Sequence, residues 1–143
     1  MKNLIILFSF LFLFGCQDKT FKDNWVTNAP QETINTLPTD DRITAVAFIV
    51  ATIKAANATE LERGWDGQWG FVRAQAPPDI SWPRFETYLL TLTHYNDIGL
   101  RQNWFLNDAG AFQADFWIDQ KWVVVTMYSV NTNQIGYLYF RRT

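Results

Sequence analysis

The chain holds one histidine and one cysteine, which limits the chemistry it can do. His94 has Asp97 three residues on, a spacing that on a helix lets a carboxylate orient an imidazole as a general base. The competing reading is a histidine near a helix C-terminus, where its cationic form suits the dipole. No serine or cysteine is placed by motif to act as nucleophile. Asp115 and Asp119 are four apart and so on one face of a strand, and paired carboxylates serve acid–base and glycosidic chemistry. On a solvated strand face or in a turn they are simply hydrated. Gly64, Gly67 and Gly70 are spaced G-x-x-G-x-x-G, which is not a dinucleotide fingerprint. No nucleophile elbow, zincin helix, phosphate-binding loop or calcium loop is present. A lone histidine excludes a site built from several imidazoles. No catalytic residue, metal or cofactor is therefore assigned, and a non-catalytic role is expected.

Aromatic side chains are the remaining signal. They make up 17% of the chain, with seven tryptophans. Exposed Trp and Tyr are favoured contact residues, because they bury large area at low entropic cost. Trp65, Trp69 and Trp82 lie in or beside an irregular stretch, and Trp117 sits on the polar parity of its strand. Tyr137 and Tyr139 are expected to share that second sheet face with Tyr128. These six, Trp65, Trp69, Trp82, Trp117, Tyr137 and Tyr139, are the candidate binding residues. The alternative is that residues 57–81 fold over the second face and the two aromatic sets pack on each other. Arg141 and Arg142 read as a solubilising strand end.

The elements that must position these residues follow from periodicity. Thr39-Asp40-Asp41 reads as a helix cap with two acids in the first turn. Ile43, Val46, Ala47, Val50 and Ile53 then recur at helical spacing, predicting a buried helix to about Ala56. Residues 57–81 carry an Asp66-Gly67 turn signal and Ala76-Pro77-Pro78-Asp79. They predict one short strand near Trp69–Arg73 in an otherwise irregular segment. Ser81-Trp82-Pro83 opens a second helix, with Phe85, Tyr88, Leu89 and Leu92 as its core stripe, ending near Asn96. Strands are expected near Leu100–Leu106, Ala111–Ile118, Lys121–Val130 and Gln134–Arg142, joined by short polar turns. Short turns between successive strands give an antiparallel meander. The expected architecture is α+β: two helices packed on a four-stranded antiparallel sheet. Its general shape resembles cystatin-like and nuclear-transport-factor-2-like folds, which by itself transfers no function.

The N-terminus reads as an address. Met1-Lys2-Asn3 precedes an apolar run from Leu4 to Phe14, interrupted only by Ser9. That run is short for a membrane span and suits a signal-peptide core. Leu13-Phe14-Gly15-Cys16 follows, with Leu at −3 and a small residue before the cysteine. This resembles the lipobox of bacterial lipoproteins. The resemblance implies removal of residues 1–15 and a diacylglycerol thioether on Cys16. A further acyl chain would sit on the new amine, enough for stable anchoring where a single chain is marginal. Gln17 does not resemble an inner-membrane retention signal, which points to the outer membrane facing the periplasm. Residues 16–38 then form a tether and 39–143 a single domain.

Length and composition close off other classes. The 143 residues, 48% hydrophobic and 18% charged, suit one packed domain rather than a disordered chain. A net charge of −2 argues against nucleic acid, which needs a basic patch. One cysteine excludes an internal disulfide framework. Three functions are consistent with this reading, and a small hydrolase with His94 as its base is a fourth, less favoured one. The first is an envelope-anchored binding or adaptor module using an aromatic surface. The second is an immunity protein or inhibitor of a periplasmic toxin or wall hydrolase. The third is a glycan or peptidoglycan binder. The expected partners are the membrane through the lipid anchor, an envelope protein, or peptidoglycan.

Overall fold

The computed structural model describes residues 42–142. The expected signal peptide, Cys16, the tether and the Thr39 cap lie outside the described residues. Helix α1 (Ile43–Ala55) buries Thr44, Ala45, Val46, Ala47, Phe48, Ile49, Thr52 and Ile53, so it is wrapped on most of its circumference. Its β-branched residues do not prevent a helix, because packing outweighs the small propensity penalty. The helix ends in a Schellman motif. Asn57 turns left-handed at φ 53, its N–H donates to the Lys54 carbonyl, and the Ala58 N–H donates to Ile53.

Residues 57–81 differ from expectation. They contain two strands, β1 (Thr59–Trp65) and β2 (Trp69–Gln75), paired as an antiparallel hairpin. The Asp66-Gly67 signal marks its turn. The Asp66 carboxylate accepts the N–H groups of Gln68 and Trp69, both at 2.8 Å, and Gly67 takes φ +95°. β1 went unread because it is an edge strand with nearly every residue exposed, so it shows no alternation of apolar and polar residues.

Helix α2 (Trp82–Thr91) starts at the expected Ser81-Trp82-Pro83 and ends earlier than expected, passing into a short 3-10 turn at Leu92–His94. The Thr91 and Thr93 hydroxyls donate back to the Tyr88 and Leu90 carbonyls, a local competitor of the helix ladder. Four further strands follow as a meander: β3 (Ile98–Leu106), β4 (Phe112–Ile118), β5 (Trp122–Ser129) and β6 (Gln134–Arg141). The hairpin joins the meander because β2 pairs antiparallel with β6. The sheet is therefore six-stranded, in the order β1-β2-β6-β5-β4-β3, rather than four-stranded. It is an open α+β sheet, and every pairing is antiparallel.

Cross-strand register defines two faces. Phe112, Ala114, Phe116 and Ile118 stand opposite Tyr128, Thr126, Val124 and Trp122 on β5. These in turn stand opposite Ile135, Tyr137, Tyr139 and Arg141 on β6. This inner face packs with α1 and α2 into the core, Phe48 meeting Phe116 at 5.2 Å between ring centroids. Burying each such side chain stabilises the fold by about 1.5–3 kcal/mol. The opposite parity forms an outer face, on which the described residues place no helix.

Candidate functional site

Two aromatic clusters sit on the inner face, one at each end. At the first, Trp65 stacks on Tyr139 at 5.6 Å and 13°, and Trp122 meets both rings at 6.0 Å. The Arg42 guanidinium lies 4.3 Å over the Trp65 ring, so Trp65 is held from both sides. Gly70 lies directly under Tyr139. At the other end Trp82 stacks on Tyr128 at 4.1 Å and 13°, with Trp104 edge-on at 4.9 Å and Phe85 at 5.5 Å. The turn after β5 fixes this geometry. Tyr128 donates to the Asn133 side chain at 2.6 Å, and the Asn133 amide donates to the Ala76 and Pro77 carbonyls. That anchors the loop delivering Trp82. Trp104 Nε1, Trp122 Nε1 and Thr126 Oγ1 are buried with no hydrogen-bond partner among the described residues.

Tyr137 lies between these ends, deep in the core. Its hydroxyl is 2.7 Å from the Thr52 hydroxyl, which is itself 2.8 Å from the Ile49 carbonyl. Thr52 has one hydroxyl proton; if that proton serves Ile49, Tyr137 donates to the Thr52 oxygen. Burial, the dominant cause, holds the Tyr137 phenol above its ordinary value.

Tyr137 and Tyr139 thus differ from expectation. They face the helices at 2% and 3% exposure, and Tyr128 lies with them, so none shares a face with Trp117. The strand parity was readable, but the face each parity meets is set by cross-strand register. The hairpin also does not fold over a second face. It extends the sheet, and of its own tryptophans only Trp65 reaches the tyrosine set, while Trp82 reaches Tyr128 from α2.

Trp117 and Trp69 lie on the outer face. β4 presents Gln113, Asp115 and Trp117 there, and β5 presents Val123, Val125 and Met127. β6 presents Leu138 and Phe140, and β2 presents Trp69, Phe71 and Arg73. Trp69 is 43% exposed and packs its ring 6.2 Å from Phe71. Val123 and Val125 are buried yet stand outside the inner core. Two ion pairs lie on this face. Arg101 pairs with Asp115 at 2.9 Å, and Gln113 donates to the other Asp115 oxygen at 3.0 Å. Arg73 pairs with Glu62 at 2.9 Å. Arg142 lies 4.7 Å over the Trp117 ring and Arg101 5.4 Å from it. Sequence reasoning missed Phe71, Leu138 and Phe140 as part of this surface. Their signal was the strand of alternating Leu138 and Phe140 opposite Tyr137 and Tyr139, apolar on both sides and so in need of cover on both.

The polar candidates separate. Both Asp115 oxygens are engaged, while Asp119 takes φ 53 in the β4–β5 turn. His94 is exposed at the end of the 3-10 turn. Among the described residues, no group of three or more His, Cys, Asp or Glu could hold a metal. No described helix is long and apolar enough to cross a membrane. In comparisons with known proteins, no family model, curated protein or solved structure matches the chain.

Proposed function

We propose that the chain is a lipid-anchored, non-catalytic binding module of the bacterial cell envelope, and that it meets a protein partner through the outer face of its sheet. One observation carries the reading. The outer face carries an apolar band, with the exposed Trp69 and the half-buried Trp117, Phe71, Leu138 and Phe140, and lacks a covering helix among the described residues. Aromatic, aliphatic and arginine side chains together are the composition of contact surfaces. The lipobox-like Leu13-Phe14-Gly15-Cys16 supports anchoring through Cys16. A protein partner is favoured over a glycan because Arg142 and Arg101 already lie against the Trp117 ring that a sugar would stack on.

Site-specific photocrosslinking in cells tests this. A photoreactive residue at position 138 is expected to give a discrete protein adduct, and one at position 87, exposed on α2, is not. Trp69→Ala combined with Trp117→Ala is expected to remove the adduct while the domain stays folded, as read by circular dichroism. Equal adducts from both positions, or none from position 138, would sink the proposal. A toxin or wall hydrolase in the adduct would select the immunity or inhibitor role.

A further inference from the structure

A cleft of about 480 Å³ opens on the far side of the molecule from the outer face, between the C-terminal end of α1, the loop after β2 and the first turns of α2. Its size falls within the range of small-molecule sites. Ile80, Phe85 and Tyr88 give it an apolar lining. Phe85 is 4% exposed, and Trp82 packs against its ring. The polar side chains are uncommitted. Asp79, Arg84 and Asn57 line the cleft, and none makes a side-chain hydrogen bond or ion pair with a described residue. Ser81 lines it too and makes no capping bond.

Arg84 is the most telling of these. It stands in the first turn of α2, where the helix dipole disfavours a cation, and that turn holds no acidic residue to offset it. Residues that break a local rule without a visible compensation are concentrated at functional sites. Asp79, on the same rim, forms no ion pair with Arg84. The cleft therefore offers one cation and one anion, unpaired with each other, beside an apolar lining. Tyr88 adds a donor. Burial, with a smaller contribution from Tyr95, holds its phenol above the ordinary value, so it remains protonated at neutral pH.

We propose that this cleft binds a free α-amino acid with an apolar side chain. Arg84 takes the carboxylate, Asp79 takes the ammonium group, and the side chain lies on Ile80, Phe85 and Tyr88. An Arg–carboxylate contact supplies directional, charge-assisted bonding, and the opposite charge at Asp79 discriminates against simple fatty or aromatic acids. The site is independent of the outer-face reading, since it shares no residue with that surface.

The test is a backbone-amide NMR titration of the full chain in detergent micelles with L-leucine and L-phenylalanine as probes. Saturable shifts at residues 55–57 and 79–88 are expected at millimolar concentration. N-acetyl-L-phenylalanine and L-phenylalaninamide are each expected to bind about tenfold more weakly. Arg84→Gln is expected to weaken L-phenylalanine about tenfold and leave the amide derivative unchanged, and Asp79→Asn to show the converse pattern. Both side chains are exposed, so both variants should keep the parent melting temperature. The proposal fails if neither amino acid shifts these amides, or if both derivatives bind as well as the parent. It also fails if a Phe-Leu dipeptide binds as tightly, because that would assign the cleft to peptide ends.

Discussion

The smallest side chain in the first aromatic cluster decides how the largest ones sit. A Cβ on Gly70 would overlap the Tyr139 ring, and Tyr139 cannot yield because Trp65 and Trp122 pack against it. Gly64 is equally close to Phe71, but that ring is half-exposed on the outer face and can swing aside. Gly70→Ala is therefore expected to lose about 1–3 kcal/mol, and Gly64→Ala clearly less. Urea unfolding midpoints with unchanged slopes would check this, and equal losses would mean that Phe71 is pinned. The spacing of these glycines was visible in the sequence, but its purpose was not. Gly67 supplies a positive φ, while Gly64 and Gly70 make room for rings that approach from other strands. Such approach is a long-range fact that no local pattern records. The uncommitted charges of Asp79 and Arg84 were hidden for the same reason, since only folding reveals which ions find partners.

Among the elements, the β1–β2 hairpin depends on one carboxylate. Backbone N–H groups of Trp69 and Gln68 hold the Asp66 carboxyl below its ordinary range. A lowered folded-state pKa means the stabilising contribution is complete above the ordinary carboxylate range. It is lost as the pH falls through that range to the folded value. Asp66→Asn keeps an oxygen acceptor and removes the charge. The stability gap between the native chain and this variant should therefore be widest near neutral pH and narrow as the pH falls below the ordinary carboxylate range. A gap that does not change with pH would refute the charge-assisted turn. Both helices and the four-strand meander were legible, because each carries a period of its own. The hairpin was legible only at its turn and in β2. β1, with exposed Glu60, Glu62 and Arg63, reads as a polar loop, and the Arg73–Glu62 ion pair that ties it to β2 is invisible before pairing. The end of α2 was misplaced because threonine hydroxyls return to the backbone there.

For the whole molecule, strand order governs which parts open first. β6 and β5 are paired on both sides, whereas β1 and β3 are edges, and β3 carries two register shifts. Amide hydrogen exchange should be slowest in β5 and β6 and fastest in β1 and β3. Protection of β1 equal to that of β5 would show that something covers the edge. The two faces of the sheet were only half legible. Alternation separates Tyr137 and Tyr139 from Leu138 and Phe140, but six strands must register before either set is known to meet the helices. β6 also comes after every other strand in the sequence, yet it sits between β2 and β5. During synthesis the hairpin and the first three strands of the meander must wait as separate pieces, each with an unpaired border, until these eight residues leave the ribosome. The domain can therefore close only after translation has passed its last strand. A stop codon falling shortly before residue 134 would remove the seam that joins its two halves.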